Sequence, residues 1–116
     1  MNTIEIFHNP RCSKSRQTLS LLEEKGLNPT IIKYLETPPD QNTLEQIIKY
    51  LGIAPRDLLR KGEPEYKMLG LSDQTMSDKV IIEAMVNHPK LIERPIVIKG
   101  NKARIGRPPE AVLEII

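Results

Sequence analysis

Residues 3–16 read TIEIFHNPRCSKSR, and this segment predicts how the fold begins because it leads from a strand through a turn into a helix. Polar and apolar side chains alternate from Thr3 to Ile6, which predicts a short β-strand that ends near Phe7. Pro10 marks a turn, and a helix is predicted to begin at Ser13. The only cysteine of the chain, Cys12, therefore lies in the turn that precedes this helix.

The surroundings of Cys12 favour a reactive sulfur. Backbone N–H groups without helical partners and the positive end of the helix dipole meet at the start of a helix. Three cations and no carboxylate lie between His8 and Arg16, namely Arg11, Lys14 and Arg16 itself. Each feature favours the thiolate, which is the nucleophilic form of cysteine. The alternative is an inert packing residue, the common role of a lone buried cysteine.

The next segments predict a parallel strand pair. A helix over residues 13–25 is ended by Gly26, and a second strand is predicted over residues 30–35. Two strands joined by a helix form a parallel βαβ unit. The sequence TPPD at residues 37–40 then breaks the chain.

The middle third of the chain is predicted to be helical. Caps, prolines and glycines place the helices at about residues 43–51, 55–61, 64–69 and 78–88. Thr43 is the predicted N-cap of the first of them, with Gln46 in the capping-box position, and Gly52 ends it. Ser77 is the predicted N-cap of the last.

The C-terminal third returns to strands. Residues 95–99 and 102–106 read as a β-hairpin around the two-residue turn Gly100-Asn101, and a last helix is predicted to open at residues 107–110. The order is βαβ, then a helical insert, then ββα. This order predicts an α/β protein with a thioredoxin-like fold and a mixed four-stranded sheet. We expect a single domain over residues 1–116, with the helical insertion at about residues 40–90.

Composition narrows the classes of function. The chain has 116 residues and a net charge of +2, and one cysteine excludes both an intrachain disulfide and a cysteine-cluster zinc site. We expect no metal site, no membrane span and no signal peptide, and a location in the reducing cytoplasm. The basic residues between Arg94 and Pro109 are not interleaved with aromatic side chains, so we expect no nucleic-acid binding.

Several motifs together resemble the glutaredoxin-coupled arsenate reductase family. The first is the loop His8-Asn9-Pro10-x-Cys12-x-x-Ser15-Arg16. The others follow in order at compatible spacing: Tyr34-Leu35-Glu36-x-Pro38-Pro39, Leu58-Leu59-Arg60-Lys61, Leu69-Gly70-Leu71, His88-Pro89, Arg94-Pro95-Ile96-Val97 and Arg107-Pro108. The resemblance covers nearly the whole chain, and the chain looks most similar to the short members of the family.

The resemblance implies an oxidoreductase that reduces arsenate, or a related oxyanion, to arsenite. Cys12 would attack the oxyanion as a thiolate and form a covalent adduct, with glutathione as co-substrate, glutaredoxin as partner and no tightly bound cofactor. The family's oxyanion-binding arginines match Arg60, Arg94 and Arg107. Arginine suits this role because its planar fork donates paired hydrogen bonds to tetrahedral oxyanions. We expect a monomer.

Three of these positions also have structural interpretations. In the family, the position of His8 is thought to assist thiolate formation, which a nearby imidazolium would do by its charge, but a hydrogen-bonded structural histidine is the alternative. The Ser15 hydroxyl could donate to the sulfur, or Ser15 could be only a first-turn helix residue. Arg60 could instead complement the dipole at the end of its helix. The resemblance also implies a cis peptide bond before Pro95, facing the cysteine.

Two other functions stay open. Ser15 takes the place of the second cysteine of a C-x-x-C motif, so the chain could be a monothiol, glutathione-dependent thiol-disulfide oxidoreductase. Related proteins of the same superfamily bind RNA polymerase as regulators, but they typically carry the C-x-x-C pair that is missing here.

Overall fold

The computed structural model describes residues 3–116, which fall into two compact units. Residues 3–37 and 94–116 form the first, called the sheet unit below, and Pro38–Glu93 form the second, called the helical unit.

The sheet unit is built on four strands. They are β1 (Ile4–Phe7), β2 (Thr30–Ile32), β3 (Ile96–Lys99) and β4 (Lys102–Ile105), in the order β2-β1-β3-β4. Strand β1 pairs parallel with β2 and antiparallel with β3, and β3 pairs antiparallel with β4. The mixed four-stranded sheet that the sequence predicts is therefore confirmed.

Helix α1 (Ser13–Glu24) connects β1 to β2 and begins where the sequence places it. Its buried residues are Ser15, Thr18 and Leu22, which recur at three- and four-residue intervals and so share one face. Leu22 belongs to a core cluster with Ile6, Val97, Val112 and Ile115. This packing holds α1 against the sheet.

Strand β2 is shorter than predicted. The chain turns after Ile32, because the Lys33 carbonyl accepts hydrogen bonds from the N–H groups of Glu36 and Thr37. Tyr34 is fully buried and stacks on Phe7, with 6.3 Å between the ring centroids. Tyr34, which the sequence predicts to lie in the second strand, is thus a buried residue of the turn that follows it.

The hairpin of β3 and β4 is confirmed, with Lys99 opposite Lys102. Gly100 has φ of 62° and no positive φ follows at Asn101, the pattern of a type II′ turn. The last segment, Pro109–Glu114, is a 3-10 helix instead of the predicted α-helix. Its main-chain hydrogen bonds span three residues, such as that from the Ala111 N–H to the Pro108 carbonyl.

The helical unit contains three α-helices, which are α2 (Gln41–Leu51), α3 (Pro64–Met68) and α4 (Asp78–Asn87). The predicted N-cap at Thr43 is wrong, because Asp40 caps α2 and its carboxylate accepts from the Thr43 N–H at 2.8 Å. Gly52 ends α2 in the left-handed conformation with φ of 70°, and Ser77 caps α4, both as predicted.

The predicted helix through Arg60 is also shorter than expected. A 3-10 helix covers only Pro55–Leu58, and Leu59 is extended and forms an isolated β-bridge with Ile92. The Arg60 N–H donates to the Leu91 carbonyl in the same segment. Arg60 therefore does not end a helix, and the helix-dipole interpretation of this residue is wrong.

No helix within residues 3–116 is long and apolar enough to cross a membrane. The same residues hold no group of three or more histidine, cysteine or acidic side chains placed to bind a metal ion.

Candidate active site

The turn between β1 and α1 holds Cys12 at the N-cap position of the helix. Its backbone is extended, with φ of −91° and ψ of 123°, while its carbonyl already accepts the first helical hydrogen bond from the Arg16 N–H. The Cys12 N–H donates to the Asn9 carbonyl at 3.0 Å, which closes the turn. The side chain of an N-cap residue faces the free N–H groups of the first helical turn. In this site the side chain is a thiol.

The surroundings of Cys12 lower its pKa. Burial raises the pKa of the thiol, which is only 8% exposed, but hydrogen bonds from the Ser15 and Lys14 N–H groups and the Arg94 guanidinium lower it by more. The net pKa lies below the ordinary value for cysteine. The thiolate is therefore favoured, as the position before a helix predicted.

Two arginines of the sheet unit converge on the sulfur. The Arg107 Nη2 atom lies 3.6 Å from the Cys12 Sγ atom, and the Arg107 Nε–H donates to the Arg94 carbonyl at 2.8 Å. Both arginines precede a proline through a cis peptide bond, at Pro95 as expected and also at Pro108. The structure thus brings Arg94, Arg107 and Cys12 together from three segments of the chain.

His8 and Ser15 form a buried pair next to the turn. The His8 Nδ1 and Ser15 Oγ atoms are 2.6 Å apart, and Ser15 Oγ also accepts from the Asn9 N–H. Burial lowers the pKa of His8, and the nearby charges of Lys33 and Arg16 lower it further. A lowered pKa favours the neutral imidazole over the imidazolium, and a role of His8 in thiolate formation stays a prediction.

The Ser15 hydroxyl also differs from its predicted contact. Within residues 3–116 it bonds to His8 and Asn9 and not to the sulfur, because it points into the protein on the buried face of α1. The main-chain N–H of Ser15 is the group that faces Cys12. The Ser15 side chain thus stabilises the turn through His8 and Asn9, while the Ser15 main-chain N–H contacts the sulfur.

Arg60 lies in the helical unit. Its Nη1–H donates to a Glu93 carboxylate oxygen at 2.6 Å, and its Nε lies 3.4 Å from a Glu63 carboxylate oxygen. These carboxylates hold the guanidinium in one orientation. Oxyanion binding by Arg60 stays a prediction.

Gly106 supports the site and was not recognised from the sequence. A Cβ atom at this position would lie 2.5 Å from the Thr18 Oγ1 atom and 2.8 Å from the Pro95 Cγ atom. Only glycine fits between α1 and the Arg94-Pro95 bond, and the next residue is Arg107. A glycine with an ordinary φ carries no turn signal, so only the packing reveals its role.

Known proteins are similar to this chain over nearly its whole length. The ArsC family matches residues 7–115 of the chain. The arsenate reductase of Haemophilus influenzae is 50% identical over 115 residues, which are 98% of this chain and 99% of that protein. The uncharacterized protein YfgD of Escherichia coli K12 is 55% identical over 114 residues, which are 97% of this chain and 96% of that protein. A solved arsenate reductase from Vibrio cholerae superposes with a TM-score of 0.97 at 51% identity, covering 99% of this chain and 98% of the other.

Proposed function

The chain belongs to the ArsC family, and we propose that it is an oxidoreductase that reduces arsenate, or a related oxyanion, through a covalent adduct on Cys12. The observation that carries this proposal is the buried thiol of lowered pKa with two guanidinium groups beside it. A thiol of this kind is a nucleophile, and the arginines supply the charge that an oxyanion needs.

The first step is attack by the Cys12 thiolate on arsenic. A thiolate and an anionic oxyanion repel each other, so Arg94 and Arg107 neutralise the substrate oxygens next to the sulfur. A sulfur–arsenic bond forms, and one protonated oxygen leaves as water. The free N–H groups of α1 stabilise the negative charge before and during attack.

Reduction follows with two external thiols. A glutathione thiolate binds arsenic and displaces a second hydroxyl group, which leaves as water after protonation. A glutaredoxin thiolate then attacks the glutathione sulfur, and the electron pair of the broken sulfur–arsenic bond reduces arsenic from the pentavalent to the trivalent state. Hydrolysis releases arsenite and restores the Cys12 thiolate.

Within this scheme, His8 and Ser15 position the reactive turn. Their hydrogen bond and the one from the Asn9 N–H fix the loop, so that the Ser15 and Lys14 N–H groups face the sulfur. Arg60 is proposed as a further oxyanion-binding residue because the family resemblance implies this role. The protein acts as a cytoplasmic monomer without a tightly bound cofactor or nucleic acid.

The second candidate function is that of a monothiol, glutathione-dependent oxidoreductase. The favouring observation is again the Cys12 thiol, because a thiolate of lowered pKa also attacks disulfides. Arg94 and Arg107 argue for the first candidate, since a neutral disulfide does not need two cations beside the sulfur.

Arsenate-dependent NADPH oxidation tests the proposal, with glutathione, glutathione reductase and a glutaredoxin supplied. Wild-type protein is expected to turn over and Cys12→Ser to be inactive. A parallel assay replaces arsenate with a small disulfide, and another replaces glutathione and glutaredoxin with a thioredoxin system. Turnover with the disulfide alone would favour the second candidate, and turnover with thioredoxin alone would overturn the proposed reductant.

A further inference from the structure

Thr18 is one of the buried polar side chains of the sheet unit, together with His8 and Ser15. It lies on the inner face of α1, one helical turn after Ser15, and it is fully buried. A buried hydroxyl needs a hydrogen-bond partner, and the Thr18 Oγ1–H donates to the Lys14 carbonyl at 2.8 Å. A threonine in a helix commonly bonds to the carbonyl four residues before it, so the significance of this bond depends on which peptide group accepts it.

The peptide group that accepts the Thr18 hydroxyl also contacts the reactive sulfur. Lys14 and Ser15 are adjacent, so the Lys14 C=O and the Ser15 N–H belong to one planar amide. The Ser15 N–H is the donor that lowers the pKa of Cys12 most. A chain of hydrogen bonds therefore runs from the Thr18 hydroxyl through the Lys14–Ser15 amide to the Cys12 sulfur.

The first bond of this chain strengthens the last one. A hydrogen bond to an amide oxygen draws electron density toward that oxygen and makes the N–H of the same amide a better donor. In a protein interior each bond of such a chain is strengthened by about 10–30%. Because an N–H binds a thiolate more strongly than a thiol, the Thr18 hydroxyl favours the ionised form of Cys12 without touching it.

The packing around Thr18 holds its hydroxyl in this orientation. A Cβ atom at Gly106 would lie 2.5 Å from the Thr18 Oγ1 atom and 3.2 Å from the Thr18 Cγ2 atom, so both branches of the side chain face the Gly106 main chain. The Gly106 N–H donates to the Pro95 carbonyl at 2.9 Å, which joins this segment to the one that carries Arg94. Since threonine is stiff about its first torsion angle, contact on one side and a hydrogen bond on the other favour a single rotamer.

We propose that Thr18 is a positioning residue for Cys12, whose hydroxyl orients and polarises the Lys14–Ser15 amide that donates to the attacking sulfur. This inference rests on the proposed function, because it concerns the thiolate that attacks the oxyanion. Thr18 acts through the amide and not by contact with the sulfur.

Alkylation by iodoacetamide tests the proposal, and it reports on Cys12 alone because the chain has no other cysteine. Thr18→Val removes the hydroxyl and nearly keeps the shape of the side chain, and the Lys14 carbonyl still accepts the main-chain N–H of residue 18. We expect alkylation of this variant to be about twofold slower than in wild type well below the thiol pKa. Well above the thiol pKa, where all the sulfur is ionised, the two rates should be equal. Equal rates at low pH, or the same slowing at every pH, would overturn the proposal.

Conservative variants separate the hydroxyl from the packing of the side chain. Thr18→Ser keeps the hydroxyl and should be alkylated as wild type. Thr18→Ala differs from Thr18→Ser only by the hydroxyl oxygen and should be slowed at low pH, so this pair repeats the test if the valine variant does not fold. Ser20→Val removes a hydroxyl from the exposed face of the same helix and should behave as wild type. Equal alkylation of Thr18→Ser and Thr18→Ala at low pH would contradict a role of the hydroxyl.

Alkylation needs no arsenate, so this inference can fail separately from the proposed function. Arsenate turnover by wild type, together with equal alkylation of Thr18→Ser and Thr18→Ala, would overturn the role of Thr18 alone. The expected difference in alkylation, in a protein that never reduces arsenate, would support the role of Thr18 and contradict the proposed function.

Discussion

Cys12 combines features that each act on its ionisation, and not all of them could be read from the sequence. Its place before a helix is visible in the strand, turn and helix pattern, and the N–H groups of Ser15 and Lys14 follow from that place. The approach of Arg94 and Arg107 is not visible, because both lie more than 80 residues away along the chain. Only the family resemblance pointed to them.

Removal of Arg94 should make Cys12 less acidic. We expect Arg94→Ala to raise the thiol pKa, because its hydrogen bond and charge both favour the thiolate. The thiolate is lost as the pH falls through the pKa of the folded protein, so the pH profile of iodoacetamide alkylation should move to higher pH. Arsenate affinity should fall by about 10- to 150-fold, since a hydrogen bond to a charged group contributes about 1.5–3 kcal/mol.

Arg104→Ala is the matched control for that variant. Arg104 is on β4 and pairs with Glu114 instead of approaching the sulfur. Its removal should leave both the alkylation profile and the KM for arsenate unchanged. The same alkylation profile in Arg94→Ala as in wild type would show that Arg94 does not act on the thiol.

At the scale of helices and strands, the sequence predicted which elements exist better than where they begin and end. The N-cap of helix α2 lies three residues before the predicted one, because Asp40 takes this role instead of Thr43. Strand β2 ends early because the chain turns at Lys33, and Tyr34 is fully buried in this turn. Such choices depend on burial and on side-chain contacts that local patterns do not contain.

At Gly106, the packing between helix α1 and Pro95 leaves no room for a side chain. An added methyl group would overlap Thr18 and Pro95, so we expect Gly106→Ala to lower the free energy of unfolding by about 1–3 kcal/mol. Displacement of Pro95 should also slow arsenate reduction, because Arg94 precedes it. Denaturant unfolding and the coupled assay measure the two effects.

Gly62→Ala is the control for overlap. Gly62 has an ordinary φ, and a Cβ there would meet no atom within 4 Å. This variant should keep wild-type stability or gain up to about 1 kcal/mol. If Gly106→Ala were as stable as Gly62→Ala, the packing account of Gly106 would be wrong.

At the scale of the whole molecule, the chain forms two compact units, and the three predicted oxyanion arginines are divided between them. Arg94 and Arg107 belong to the sheet unit and Arg60 to the helical unit. Sequence spacing cannot show whether such segments meet, and the single-domain organisation also stays a prediction. The role of Arg60 in oxyanion binding therefore stays a prediction that must be tested on the whole protein.

Steady-state kinetics with arsenate test the role of Arg60 in oxyanion binding. We expect Arg60→Ala to raise the KM for arsenate about tenfold or more through the loss of a charged hydrogen bond. The alkylation profile of Cys12 should stay as in wild type, since Arg60 is not among the groups that lower its pKa. Lys61→Ala, the neighbouring exposed cation, should leave the KM unchanged. An unchanged KM in Arg60→Ala would remove this residue from the proposed site.

A single-turnover measurement of the arsenic oxidation state tests most directly whether Cys12 reduces arsenate through a covalent adduct. Wild-type protein in excess over arsenate is mixed with glutathione and glutaredoxin, and arsenite is quantified by chromatography. We expect near-stoichiometric arsenite from wild type and none above background from Cys12→Ser. Equal arsenite from both proteins would contradict a covalent mechanism on Cys12, and none from wild type would contradict the reductase function.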